Sequence, residues 1–362
     1  MNKTVYAAVD AGNGFTNAVC SKLRGKITKT SFPSVRCKAP ERSLGLGGDY
    51  EVQYEMIDWL DQRYTYGEEA VRFSAKALER HHGGERYGDK FHGMLVALAL
   101  YRMRVKSKST INLTLFMPPG LCTTEHKQHV VDSFSEGLSI TVDGGYHEWE
   151  FDQINVRPEG LGAVISFMLS PTIKPLNHNI FAGEVLIVDA GTYTLDILRI
   201  SDGNFDPESL ATATWEADGL FRHVITPVLA AIHKFSDDDF KVITPDMVDK
   251  AIYESYYAAG KKCNVTSAGK SMDLTEAVQV ASQRYTEWIV ANIFDSHYRG
   301  LLGIKHVIVV GGGAYLISKH LRADTQIGPK IFDYSSLSQL KGVRPTELNA
   351  IGGQRWARFK DQ

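Results

Sequence analysis

The same tetrapeptide, Val-Asp-Ala-Gly, closes an apolar run twice in this chain, at residues 9–12 and again at residues 188–191. The first copy continues as Asn13-Gly14-Phe15-Thr16-Asn17 and the second as Thr192-Tyr193-Thr194-Leu195-Asp196. In both, a short stretch joins two β-prone segments, which reads as a strand, a tight turn and a returning strand. Glycines at 12 and 14 can take positive φ, so that successive backbone N–H groups can converge into an anion-binding nest, and the Thr16 hydroxyl adds a donor. An aspartate at the end of a buried strand suits Mg²⁺ held through water. Taken singly, such a hairpin reads as an ordinary turn in which Asn-Gly serves only the backbone. Turn chemistry does not explain an aspartate at both strand ends, and two facing hairpins could grip a polyphosphate with Asp10 and Asp189 sharing its metal.

Two more places could carry chemistry. Gly311-Gly312-Gly313-Ala314 lies between an expected buried strand at 307–310 and a helix, where missing Cβ atoms let a flat ligand or a phosphate approach the backbone. Asp333, twenty residues beyond Gly313, invites a dinucleotide reading, but position 316 is leucine where that fingerprint needs glycine or alanine. Glu159, in Arg157-Pro158-Glu159-Gly160, is expected in the first turn of a helix. A carboxylate there is favoured by the helix dipole by ~0.3–1 kcal/mol, and the functional reading has it orient an attacking water. His126 and His129 share a helix without an HExxH pattern or a companion cysteine, and His81-His82 reads as a solvated loop. Neither a GxxxxGK[ST] loop nor a GxSxG elbow is present.

The elements that must position these residues alternate between strand and helix. Strands are expected at 4–9, 15–20, 111–117 and 153–156 in the first half, with irregular β structure over 31–75 broken by Gly45, Gly47 and Gly48. Helices are expected at 68–78, 94–104, 123–134 and from Pro158 through Leu169, with a hairpin around Asp143-Gly144-Gly145. A linker at 171–175 leads into a second half that repeats the opening, with strands at 185–188 and 192–200 and helices at 220–234, 245–259 and 273–296. In the last of these, Leu274, Ala277, Val278, Ala281, Tyr285, Trp288 and Ile289 share one face. A short strand at 331–332 and a helix from Thr346 end the chain. This pattern is an α/β class in two similar halves.

Composition sets the outer limits. The 362 residues, 43% hydrophobic and 23% charged, are globular values that exclude a disordered, collagenous or coiled-coil whole. Lys plus Arg 40 against Asp plus Glu 42 leaves a net charge of -2, so no global field draws in nucleic acid or an anionic membrane. No apolar run approaches the ~18 residues of a membrane span, the start does not read as a secretory signal, and the four cysteines form no CxxC pair. A soluble protein of a reducing cytoplasm is the expectation.

Taken together, the motifs resemble those of the actin, sugar kinase and heat-shock chaperone ATPases, and within them the bacterial and plasmid actin-like proteins of the ParM type. The matches run in order along nearly the whole chain: phosphate 1 at 10–17, connect 1 at Pro158-Glu159-Gly160, phosphate 2 at 189–196, adenosine at 311–314 and connect 2 at Asn349-Ala-Ile-Gly-Gly353. Phe32-Pro33-Ser34-Val35 and Tyr66-Gly67-Glu68-Glu69-Ala70 also resemble the N-terminal pattern of the ParM-like group. The resemblance implies a duplicated, ribonuclease H-like two-lobe fold around a cleft for ATP, or GTP, with Mg²⁺. It puts 1–160 plus 335–362 in lobe I and 161–334 in lobe II. It makes Glu159 and Asp189 the catalytic pair and Asp10 and Asp189 the holders of hydrated Mg²⁺. Asn13, Gly14, Phe15 and Thr16 would meet phosphate from one lobe, and Gly191, Thr192 and Thr194 from the other. Asp218-Gly219 would add a nucleotide contact, and Gly312, Gly313 and Ala314 would lie along the adenosine. Tyr193 departs from the glycine more usual in the second turn. The implied function is nucleotide-dependent, head-to-tail assembly into filaments for plasmid or DNA segregation, with a separate DNA-binding adaptor and no direct contact with nucleic acid or membrane. The alternatives are a sugar or small-metabolite kinase of the same fold, whose base would be an aspartate, and a scaffold that binds nucleotide without turnover. A chaperone fits less well, since no substrate-binding domain follows residue 362.

Overall fold

The computed structural model describes residues 4–22, 25–39, 57–60, 62–73, 78–80, 83–176, 179–205, 214–235, 238–257 and 262–362. The glycines at 45, 47 and 48 and the His81-His82 loop lie outside these residues. By its contacts the chain divides into one unit of Met1–Met117, Leu121–Arg157 and Gly353–Gln362 and a second of Pro118–Gly120 and Pro158–Gly352.

In the first unit, nine strands form one sheet in the order Thr28–Pro33, Phe15–Lys22, Val5–Ala11, Thr110–Met117, Gly145–Pro158, Leu138–Val142, Ile57–Trp59, Gln62–Tyr66 and Arg36–Lys38. Val5–Ala11 pairs antiparallel with Phe15–Lys22 and parallel with Thr110–Met117. Alternate residues Val5, Ala7, Val9 and Ala11 enter one core with the helix Lys90–Arg102. That helix is buried at every position from Phe91 to Leu100, which explains its all-round apolar sequence. It starts four residues before the expected Met94 because the Asp89 carboxylate accepts the His92 N–H at 2.7 Å. The strand expected at 153–156 is part of the longer Gly145–Pro158, which carries the hairpin through Gly145 without a break.

The second unit repeats this arrangement in a five-stranded sheet. Glu184–Ala190 pairs antiparallel with Leu195–Ser201 and parallel with Ile304–Val310. Here both faces are covered. Leu186, Val188, Val307 and Val309 pack with the helices Thr275–Ile289 and Ala314–Ala323, while Val185, Ile187, Ile308 and Val310 pack with Leu161–Met168. Burial on both sides is why these strands read as unbroken apolar runs. The helix expected at 273–296 is regular only over Thr275–Ile289; the next turn, Val290–Asp295, is wider, and Ser296–Tyr298 resumes. The expected strand at 331–332 is reduced to a single bridge from Ile331 to Val307.

The expected lobe boundaries shift. Leu340 and Leu348 sit in the core with Val185, Ile308 and Val310, so the 335–352 segment belongs with the second unit and only Gly353–Gln362 with the first. The other change of unit falls at Arg157 and Pro158 rather than at 160.

Candidate functional site

In the first unit, the strand register sets Asp10 opposite Asn17 and Ala11 opposite Thr16, leaving Gly12-Asn13-Gly14-Phe15 as the connection. Neither Gly12 nor Gly14 has the positive φ expected of a nest. Glycine is needed at 12 for another reason: a Cβ there would lie 2.9 Å from the Phe15 carbonyl oxygen. Asp10 is buried at the end of its strand. The Thr16 hydroxyl is fully buried and pairs with the Ser34 hydroxyl at 2.9 Å, and the Ser34 N–H donates to the Gly14 carbonyl at 2.9 Å. Ser34 thus braces the loop from the neighbouring strand. Asn17 accepts from Ser31 at 2.9 Å, while the Asn13 Oδ1 is buried with no hydrogen-bond partner among the described residues. Two arginines reach the loop backbone: Arg86 Nη2 donates to the Ala11 carbonyl, and Arg80 Nη1 lies 3.4 Å from the Asn13 carbonyl.

The second unit builds its hairpin to the same register, 179 residues on: Asp189 opposite Asp196 and Ala190 opposite Leu195. Gly191 is again constrained by a close carbonyl, with a Cβ there 3.0 Å from the Thr194 oxygen. Its surroundings differ. The loop carbonyls are turned to the helix start that follows Asp218: Gly191 accepts from Leu220 at 3.1 Å, Thr192 from Phe221 at 2.7 Å and Tyr193 from Gly219 at 3.1 Å. A Cβ at Gly219 would lie 2.6 Å from the Thr192 oxygen, and Tyr193 stacks on Phe221 with centroids 4.9 Å apart. Tyr193, where glycine is more usual, therefore packs the loop onto the segment Phe221–Ile225. The Thr194 and Thr214 hydroxyls donate to the two oxygens of buried Asp196 at 2.7 and 2.6 Å, so Asp196 is held within the hairpin's own network. Asp218 accepts from Arg222 at 2.7 Å and approaches His223 Nε2 at 3.1 Å, and its carbonyl takes the Tyr285 hydroxyl at 2.7 Å.

Asp189 is a strongly perturbed carboxyl. Burial raises its carboxyl from 3.8 to about 6, partly opposed by a hydrogen bond from Asn349. Asn349 Nδ2 donates to Asp189 Oδ2 at 3.1 Å, while Asn349 Oδ1 accepts the N–H groups of Gly160 at 2.9 Å and Ala163 at 3.3 Å. One amide therefore ties the strand-end carboxylate to the turn that carries Glu159. This turn is not the first turn of a helix: Leu161–Met168 begins after Gly160, whose φ is +83°, and half-buried Glu159 stands just outside it. Glu159 therefore stands one residue before the N-cap instead of within the first turn.

The glycine run closes against the same carboxylate. At Gly311, φ is +80° and a Cβ would overlap Asp189 Oδ1; the Gly313 N–H donates to the Ala190 carbonyl at 2.8 Å. Gly312 is different, since a Cβ there would meet nothing within 4 Å. The run thus has packed ends and an open middle. Ala314 opens the helix Ala314–Ala323.

Among the described residues, no three histidine, cysteine or carboxylate groups converge as a metal cage. His126 and His129 are exposed on Thr124–Phe134. A Mg²⁺ ion would suit a carboxylate such as Asp189 all the same, since it takes one or two and completes its shell with phosphate oxygens and water. The raised Asp189 carboxyl fits that use, because a cation restores the charged form that burial disfavours. In the sequence Asn349 and Ser34 stand only as members of motifs without a role of their own, and Arg86 stands in none; the amide's role needs the 160-residue contact to Asp189 to be seen.

The fold, a hairpin and parallel strand built twice with an aspartate at each strand end, is that of the duplicated actin-like proteins. Residues 8–162 match the family described as actin like proteins, N-terminal domain, and residues 187–323 match the archaeal actin homologue MreB-like C-terminal family. This chain belongs to the actin-like proteins. Among solved structures it is similar to the archaeal actin homologue Ta0583, at 18% identity and TM-score 0.72 over 98% of this chain and 99% of that one. It is similar to the actin-like protein Alp7A, at 14% identity and TM-score 0.72 over 100% and 97%. It is also similar to the subunit of a 15-stranded ParM filament from Clostridium botulinum, at 18% identity and TM-score 0.68 over 98% and 99%. No curated protein sequence matches the chain. Among the described residues no helix is long and apolar enough to cross a membrane.

Proposed function

We propose that this protein is a Mg²⁺-dependent ATPase that assembles head to tail into filaments, with plasmid or DNA segregation through a separate DNA-binding adaptor as its use. The observation that carries the reading is the Asn349 amide, which joins Asp189 to the Glu159 turn. Structure alone does not require a nine-tenths buried carboxylate there, and its raised pKa makes it costly to keep ionised. A bound Mg²⁺ would neutralise phosphate charge. Asp189 would hold it through water, with Asp10 the matching carboxylate of the first hairpin, and the open backbone at Gly312 would leave room for the adenosine. Glu159 takes the water-orienting role, with its backbone fixed by Asn349 at the adjacent Gly160. The ADP complex known for Ta0583 and the filament known for ParM support nucleotide binding and self-assembly, respectively. Assembly needs a heterologous contact that does not close into a ring.

The test is high-speed pelleting with ATP, with ADP and without nucleotide, with electron microscopy of the pellet and phosphate release measured in parallel. ATP-dependent pelleting of filaments with phosphate release is the expected result. A protein that stays monomeric by light scattering in saturating ATP across salt conditions would favour the metabolite kinase instead.

A further inference from the structure

Arg86 is 4% exposed, and among the described residues no carboxylate pairs with it. Its Nη2 donates to the carbonyl of Ala11, inside the first Asp-Ala-Gly hairpin, and to the Tyr87 hydroxyl at 2.8 Å. Its Nε is buried without a partner, and its guanidinium lies 4.3 Å from the centroid of the Tyr87 ring. The segment that carries it is fixed: the Gly88 N–H donates to His92 Nδ1 at 3.0 Å, and His92 in turn donates its backbone N–H to Asp89. Burial and the nearby Arg86 charge push the His92 imidazole down to about 3, so it stays neutral and brings no second cation to the cluster. A ring face compensates a guanidinium only in part, and a buried charge is favoured when a counter-charge meets it. Arginine cannot lose its proton instead. An anion at the hairpin to which Arg86 is bonded, the one expected to meet phosphate, would compensate that charge.

We infer that the phosphates of the bound nucleotide are the counter-charge of Arg86, which positions the first hairpin and makes it selective for polyphosphate. This rests on the nucleotide reading of the hairpins. Arg86 acts through the Ala11 backbone and through its field, so its signature is a dependence on the number of phosphates rather than a uniform loss of binding.

The experiment measures ATP, ADP and AMP affinity by displacement of a fluorescent ATP analogue from wild type, Arg86→Gln and Arg86→Lys, with a thermal melt of each protein. Arg86→Gln should weaken ATP by about ten- to a hundredfold, the scale of one charge-assisted interaction, ADP by less and AMP least. Arg86→Lys keeps the charge and should hold the ATP-to-AMP ratio within a few-fold of wild type. Equal losses for all three nucleotides, or wild-type ratios in Arg86→Gln, would overturn the inference and leave Arg86 a structural brace. If Arg86→Gln does not fold, Arg86→Lys decides: a folded protein that has lost its preference for ATP contradicts the role. Failure of wild type to bind the analogue would instead defeat the nucleotide reading itself, before any variant is compared.

Discussion

Around Asp10 the hairpin is braced by hydroxyls and cations, Ser34 on Thr16, Arg86 on Ala11 and Arg80 near Asn13, whereas around Asp189 the same backbone is held by an amide, a helix start and a glycine run. The register is identical, with the strand-end aspartate two residues before a glycine that a carbonyl crowds in both. What differs is the electrostatic task. The first unit gathers positive charge at its loop, which suits the recognition of phosphate. The second holds a carboxylate whose ionisation is disfavoured and ties it, through Asn349, to the turn that carries Glu159, which would suit metal binding and water activation. One scaffold is built twice, and side chains brought from distant segments give the two copies different surroundings.

The sharpest way to break this division is Glu159→Ala. If the second unit carries the chemistry, phosphate release should fall about ten- to a thousandfold, within the range of general-base contributions, while ATP affinity changes little. Filaments of the variant should then outlive wild-type ones after a fixed addition of ATP. Unchanged phosphate release would remove Glu159 from the mechanism.

Asn349→Ala probes the coupling. It leaves the Gly160 and Ala163 N–H groups without their acceptor, so a urea melt should show a loss of roughly 1–3 kcal/mol, accompanied by slower turnover. A stable variant with normal turnover would mean that the Asp189-to-Glu159 link carries nothing.

A pH series sharpens the contrast at Asp189 itself. Its folded pKa of about 6 stands above the ordinary 3.8, so the native state holds a proton that the unfolded chain has released. The contribution to stability is full below pH ~4 and is lost as pH rises to ~6. In nucleotide-free protein, Asp189→Asn should flatten this decline and raise stability at pH 7 by about 1–3 kcal/mol. A wild-type chemical-denaturation profile already flat between pH 4 and 6 would contradict it. The smallest effect belongs to Tyr193→Gly, which removes the stack on Phe221 and should cost about 0.5–1.5 kcal/mol in a thermal melt.

Much of this was legible in the sequence because it is local. The two hairpins, the glycine run and the buried face from Leu274 to Ile289 follow from residue type and spacing, and the structure has them where periodicity puts them. The misses are long-range or depend on dihedral angles. Gly12 and Gly14 do not use the positive φ that glycine allows; a carbonyl contact, which sequence does not display, explains Gly12. Glu159 was read into a helix that begins only after Gly160, since Pro158 marks a break without saying on which side the helix lies. Residues 335–352 pack with the second unit through Leu340 and Leu348, a long-range contact that sequence does not display. Arg86 looks in sequence like any surface arginine, and burial is what marks it out.

The most direct measurement is a calorimetric titration of Mg²⁺·ATP into wild type, Asp189→Ala and Asp196→Ala. The two aspartates face each other across the same hairpin, yet Asp196 is occupied by Thr194 and Thr214 and Asp189 is the carboxylate assigned to the metal. Affinity should fall far more for Asp189→Ala than for Asp196→Ala, and the difference should shrink when Mg²⁺ is replaced by EDTA. Equal Mg²⁺·ATP affinity in wild type and Asp189→Ala would contradict the account.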